Sequence, residues 1–411
     1  MVEKTEKENM NIVIVGHVDH GKSTLIGRLL YDTKSLPDGV YEEVKQVSEE
    51  LGKDVEFAYL LDALEEEREQ NVTIDTTQIF FKTKKRDYTI IDAPGHKEFL
   101  KNMITGASLA ETAILIVDAD EGVQEQTTRH AYILSMLGLK QVIVVMNKMD
   151  LVEYSEARYK KVSKDVTDFL QKLDVKPAYI IPISAMQGDN VANISTNMDW
   201  YKDITVLQAL DEFKVLIVTE SKQMRLPVQD VYKFDSKRIT VGRVESGRIN
   251  TGDEVHFLPS NKKTIIKSIE MWNVAERKTA EAGECIGITT KDPLFVERGE
   301  MMCTGDIPTP VDTIKASIFW MAKRPIKVNE PVQLKCATQK VECVIQEIER
   351  KIDSSTLNIL ETDKDQLKET EVGSVILKLK SPVVVEIGVP ELSRFVLAED
   401  DYILAGGIVK E

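Results

Sequence analysis

Gly16, Gly21, Lys22 and Ser23 stand at the spacing G-x4-G-K-S inside Asn11 to Thr24, NIVIVGHVDHGKST. That spacing suits chemistry on a phosphate chain. The two glycines let backbone N–H groups curl toward one centre, an anion nest at a helix start. His17, Val18, Asp19 and His20 make the body of the loop, and Thr24 follows it. Lys22 would reach the β- and γ-phosphates, and the Ser23 hydroxyl would ligate Mg²⁺. The context is the required one. Ile12 to Val15 is a β-branched apolar run, hence a buried strand, and Leu25, Ile26, Leu29 and Leu30 recur at helical spacing.

Further along, Thr73 sits in Asn71-Val72-Thr73-Ile74-Asp75, about fifty residues past the phosphate loop. A switch that senses the γ-phosphate places a threonine there to complete the Mg²⁺ shell. The apolar run Thr89 to Ile91 leads into Asp92-Ala93-Pro94-Gly95-His96. An acidic residue ending a parallel strand beside the phosphate loop is a second Mg²⁺ position, here Asp92. Gly95 can offer a backbone N–H to the γ-phosphate, and His96 would face the attacking water. The metal set is then Ser23, Thr73 and Asp92, and the catalytic set His96, Lys22 and Thr73.

Base identity falls to Asn147-Lys148-Met149-Asp150, delivered by the strand Gln141 to Met146. Guanine presents an N1–H beside an exocyclic amine, and the Asp150 carboxylate accepts both. Adenine would meet it with a lone pair, a buried mismatch that discriminates strongly. Lys148 can lay its aliphatic stem over the ring. Ser184-Ala185 follows the strand ending at Ile181-Pro182-Ile183, where a backbone N–H could reach the guanine O6. The ligands expected are GTP and Mg²⁺.

Elements must position these motifs. Each motif ends a strand, with helices between, so the first part is an α/β P-loop GTPase domain with a mostly parallel sheet. Helical periodicity stops near Gln223. Short β-rich runs then alternate with Gly and Asp turns at roughly ten-residue spacing, which implies two all-β barrels. Pro308-Thr-Pro-Val-Asp312 reads as a linker, since prolines so close cannot sit in a central strand. The expected domains are 1–222, 223–309 and 310–411.

The chain has 411 residues, more than one ordinary core holds, and 42% hydrophobic content can fill several. Its formal charge of −15 disfavours nonspecific nucleic-acid binding, although one local basic patch overrides net charge. Lys335, Lys340, Arg350 and Lys351 are such basic residues, with Glu342 and Glu347 among them. The N-terminus MVEKTEKENM is charged and carries no signal-peptide core, and no apolar run is long enough to span a membrane. Cys285, Cys303, Cys336 and Cys343 form no CxxC pair, so buried thiols and a cytoplasmic location are expected.

The motifs GHVDHGKST, DAPGH, NKMD and SA together resemble the translational GTPases, over essentially the full chain. Two branches of that family come into play. Ser23 to Thr33, Leu60 to Asp75, Gly188 to Tyr201 and Phe319 to Ala322 look closest to the GTPase (large) subunit of bacterial sulfate adenylyltransferase, as does Gln70. That resemblance implies a partner: a small ATP-binding catalytic subunit making adenylyl sulfate, coupled to GTP hydrolysis here. The alternative branch is elongation factor 1-alpha, which carries aminoacyl-tRNA to the ribosome. In both, the family implies a gate of Val18 and Val72 in front of the water that His96 orients. Asn71 departs from the glycine usual in both, and Asn tolerates positive φ better than most residues.

Overall fold

The computed structural model describes residues 9–36, 39–50, 57, 78–92, 110–139, 141–214, 223–234, 237–271, 277–363, 365–400 and 402–411. The chain divides into two compact units, Met1–Val215 and Leu216–Glu411.

The first unit is built on a six-stranded sheet. Its strands are β1 (Asn9–Gly16), β2 (Gln78–Lys82), β3 (Asp87–Asp92), β4 (Thr112–Asp118), β5 (Gln141–Asn147) and β6 (Tyr179–Pro182). They lie in the order β2-β3-β1-β4-β5-β6. Only β2 runs antiparallel, against β3. Every residue of β4 is buried, as a central strand covered on both faces demands. Around the sheet stand helices α1 (Lys22–Asp32), α2 (Val40–Glu50), α3 (Glu125–Met136), α4 (Glu156–Gln171) and α5 (Val206–Glu212). Ser155 caps α4 by accepting the Arg158 N–H, and Thr205 with Gln208 forms a capping box on α5. Parallel register brings Gly16, Asp118 and Asn147 to one edge: Gly16 pairs with Ile116, and Asp118 with Asn147. Ligands of such sheets gather at that carboxyl edge.

The second unit holds two closed six-stranded barrels. The first is made of Arg225–Phe234, Lys237–Arg243, Glu254–Leu258, Lys262–Glu270, Cys285–Thr290 and Met301–Cys303. The second is made of Val311–Trp320, Pro331–Cys336, Gln339–Asp353, Glu371–Val383, Arg394–Glu399 and Tyr402–Val409. The last barrel's first strand starts at Val311, inside the stretch expected to be linker. Each barrel has its own apolar core, and a third cluster joins them: Leu258, Met301 and Cys303 pack with Val384, Val389 and Leu392. All four cysteines are free, Cys285 exposed and the others buried. Among the described residues no helix is long and apolar enough to cross a membrane.

Candidate nucleotide site

The phosphate loop leaves β1 at Gly16 and enters α1 at Lys22. Gly16 has to be glycine because an added Cβ would lie 2.4 Å from the Ile116 carbonyl oxygen. Gly21 caps α1 at φ +91°, and a Cβ there would lie 2.3 Å from Asn147 Nδ2. The backbone N–H groups of Gly21, Ser23 and Thr24 meet no acceptor among the described residues. They are the orphan donors of a helix start, aimed where an anion fits. The Ser23 hydroxyl, exposed, likewise meets no partner among the described residues, which suits a Mg²⁺ ligand. Lys22 Nζ is folded over the loop, donating to the carbonyls of Gly16 at 3.1 Å and His17 at 2.9 Å.

Helix α3 braces the loop from behind. His130 Nδ1 accepts the Gly16 N–H at 3.2 Å, and Gln126 Oε1 accepts the Val18 N–H at 3.1 Å. The two side chains are four apart, so they share one helix face. Burial, aided by the charges of Lys22 and Arg129, pushes the His130 pKa down to about 3. A neutral ring is what an Nδ1 acceptor requires. His20 is also wholly buried. Burial lowers its pKa as well, against opposing hydrogen bonds. Its Nε2 lies 3.2 Å from Glu121 Oε2, and its Nδ1 accepts the Asp118 N–H at 3.3 Å, with Ile116 O at 3.4 Å. The His20 side chain therefore anchors the loop to β4. His17 Nδ1 is buried with no hydrogen-bond partner among the described residues.

The base loop follows β5. Asn147 is 3% exposed and bridges two loops: Nδ2 donates to His20 O at 2.9 Å, and Oδ1 accepts the Ala185 N–H at 2.9 Å. The Ser184 hydroxyl accepts the Gln187 N–H at 3.2 Å. Lys148 has φ +63° and pairs its ammonium with Asp118 Oδ2 at 2.8 Å. Burial alone would raise the Asp118 pKa, but Lys148 and the N–H groups of Asp120 and Glu121 outweigh it and hold it below the usual range. Met149 and Asp150 open a 3₁₀ turn, Met149–Val152. Met149 is buried, while the half-exposed Asp150 carboxylate accepts no hydrogen bond from the described residues.

Asp92 ends β3 beside β1, opposite Ile14 in register. The Asp92 side chain, and with it Ala93, Pro94, Gly95, His96, Asn71, Val72 and Thr73, lies outside the described residues. The structure thus brings together Gly16 to Thr24, Asn147 to Asp150, and Ser184-Ala185. Sequence reasoning missed Gln126, His130 and Asp118, which serve the loops from other elements.

Comparison with known proteins places this architecture. Residues 7–215 match the model of the elongation factor Tu GTP binding domain. Residues 237–303 match elongation factor Tu domain 2, and residues 313–410 match the GTP-eEF1A C-terminal domain-like model. Elongation factor 1-alpha of Methanopyrus kandleri is 41% identical, over 98% of this chain and 97% of its own. That of Natronomonas pharaonis is 39% identical, over 98% of each. The chain belongs to the elongation factor Tu and 1-alpha family of translational GTPases. It is a GTPase that binds GTP with Mg²⁺. The crystal structure of Sup35 complexed with GDP aligns at a TM-score of 0.46 and 23% identity, covering 98% of this chain and 94% of that one.

These full-length relatives correct the expectation of a sulfate adenylyltransferase subunit with a small ATP-binding partner. The physical reason lies in the residues that suggested it. Phe319, Trp320 and Ala322 are buried in the last barrel, and Trp320 Nε1 donates to Arg324 O at 2.7 Å. Gly188 to Tyr201 is tied down by side-chain hydrogen bonds: Asn190 Nδ2 donates to Pro182 O at 2.8 Å, and Ser195 Oγ to Asp189 Oδ1 at 2.6 Å. Burial in the barrel core accounts for Phe319 to Ala322 without any partner-specific role. Gln70 and Leu60 to Asp75 lie outside the described residues.

Proposed function

We propose that this protein is a translation elongation factor of the 1-alpha type, which in its GTP form carries aminoacyl-tRNA to the ribosome and lets go on hydrolysis. The observation that carries the reading is the length of the kinship: near 40% identity runs through the GTPase domain and both barrels of named elongation factors. Barrels that only fill space would not need to match along their whole length. The net charge of −15 is no obstacle, because tRNA contact needs a local basic surface only. Of the four basic residues noted in the last barrel, Lys351 is interior, paired with Glu371 at 3.4 Å.

In this reading Lys22 and the N–H groups of the phosphate loop hold the β- and γ-phosphates. Bound Mg²⁺ neutralises charge on those oxygens. Ser23, Thr73 and Asp92 hold the metal, and His96 orients the attacking water behind Val18 and Val72. Positioning and charge neutralisation dominate such a reaction, so little covalent chemistry is asked of the protein. Asp150 selects guanine.

The test is protection of the aminoacyl ester. Aminoacyl-tRNA mixed with the protein and a non-hydrolysable GTP analogue should deacylate more slowly than with GDP. Equal deacylation in both, at saturating protein, would remove the carrier reading.

A further inference from the structure

Lys148 heads the base loop in a left-handed conformation, φ +63°, which a long side chain adopts only when its surroundings hold it. The holding group is on another strand. Asp118, the last residue of β4, meets the Lys148 ammonium at 2.8 Å, with side-chain exposure of 3% for Asp118 and 28% for Lys148. The other carboxylate oxygen is committed as well: Oδ1 accepts the N–H of Asp120 at 2.7 Å and of Glu121 at 3.2 Å. The carboxylate therefore cannot swing. Its turn is clamped in addition from α4, where Arg158 Nε donates to Ala119 O at 2.6 Å and the guanidinium reaches Asp120 O. On the far side the Asp118 N–H goes to His20 of the phosphate loop. One residue thus touches the base loop through its side chain and the phosphate loop through its backbone.

We propose that Asp118 is a positioning residue for guanine-nucleotide binding: it pins the Lys148 ammonium so that the lysine stem lies ready across the base, and ties that placement to the phosphate loop through His20. The inference rests on Asn147 to Asp150 being the base loop. A free lysine would lose rotamer freedom when the base arrives, which weakens binding. Pinning the ammonium beforehand removes that loss. The pin is durable because the carboxylate is buried, where salt screens little.

Full-length protein with Asp118→Asn, Lys148→Met and both changes tests this, reading dissociation constants and off-rates for fluorescent GDP and GTP. Asparagine keeps an oxygen for the Asp120 and Glu121 N–H groups and removes the charge that holds Lys148. Methionine keeps an apolar stem and removes the ammonium. Asp118→Asn should weaken GDP and GTP alike, by about tenfold to a hundredfold, the range for losing a charge-assisted buried contact. In the Lys148→Met background the same change should add less than about twofold, since the pair is already broken. A residue that merely supports the fold would add its full loss in both backgrounds, and that result overturns the proposal. Normal affinity in Asp118→Asn with weak binding in Lys148→Met also overturns it, while the base loop stands. Normal affinity in Lys148→Met removes the base-loop role of Lys148 and the proposal with it. If Asp118→Asn does not fold, Asp118→Glu takes its place in the same cycle: the longer side chain keeps the charge but not the 2.8 Å contact, and a GDP off-rate unchanged from the natural protein overturns the proposal. None of these readouts involves aminoacyl-tRNA, so failure here and failure of the carrier reading are separate results.

Discussion

Asn147 Nδ2 donates to the backbone carbonyl of His20 at 2.9 Å, across 127 residues of sequence. The same amide accepts the Ala185 N–H, so one side chain fixes the spacing of three loops. Both partners are buried, and deleting the amide leaves each unpaired. At about 1–3 kcal/mol for each of the two orphaned groups, Asn147→Ala should weaken GTP and GDP equally, by roughly thirtyfold to 10⁴-fold. Isothermal titration with both nucleotides checks it. A loss confined to GTP would mean that Asn147 serves the γ-phosphate switch and not the common site.

Gly21→Ala tests the other side of this contact. The new methyl would need the space of Asn147 Nδ2 and a strained φ of +91°. Nucleotide affinity should drop by at least the Asn147→Ala amount. Adding Asn147→Ala to Gly21→Ala should then cost little more, because the amide is already displaced. Fully additive losses would mean that the two residues do not compete for one space.

Much of this site was legible in the sequence because its signals are local. A glycine pair before Lys-Ser, and Asn-Lys-x-Asp after an apolar run, each imply their own strand and loop. The braces were not legible. His130 lies 114 residues from Gly16 and Gln126 108 from Val18, and nothing in TTRHAYIL marks one histidine as an acceptor for a distant N–H. The partner was misread for a related reason. Stretches such as Phe319 to Ala322 were weighed as marks of function, and they are core.

Between the barrels, Arg225 is 2% exposed and its Nε reaches Glu386 Oε2 at 2.5 Å. It also donates to the carbonyls of Met224, Thr304 and Asp306 at 3.0, 3.2 and 2.9 Å. First barrel, linker and second barrel meet on one guanidinium. Arg225→Met should destabilise this unit by about 3–5 kcal/mol, because it strands Glu386 and the carbonyls of Thr304 and Asp306, while the Met224 carbonyl keeps the Thr304 N–H. Calorimetry should show the barrel transition lowered and broadened. An unchanged transition would reduce the contact to a surface pair.

His130 sets a pH dependence. Its pKa falls from an ordinary 6.5 to about 3 in the folded protein, so the unfolded chain binds a proton that the folded one refuses. Stability from this group is fully present above about 6.5 and is lost as pH falls toward 3, with a slope of up to about 1.4 kcal/mol per pH unit. His130→Asn keeps an acceptor for the Gly16 N–H and has no titrating ring. Urea midpoints at pH 7 and pH 5 should therefore differ less in His130→Asn than in the natural protein. Parallel shifts in the two proteins would mean that His130 is protonated without cost.

The half-exposed Asp150 carboxylate takes no hydrogen bond from the described residues, so both its oxygens remain for a ligand. Guanine offers two adjacent donors, N1–H and the exocyclic amine, and two carboxylate oxygens match them. Xanthine carries a carbonyl where guanine carries that amine. Asp150→Asn replaces one acceptor with a donor and so suits xanthine. Losing one charge-assisted contact and turning it into a clash should shift preference by several orders of magnitude, as buried polar mismatches do. Competition between GTP and XTP for each protein measures the shift. The Asn147 bridge is untouched by this change, so total affinity for the better-matched nucleotide should stay near the natural value. If Asp150→Asn still prefers GTP as strongly as before, base selection belongs to another residue.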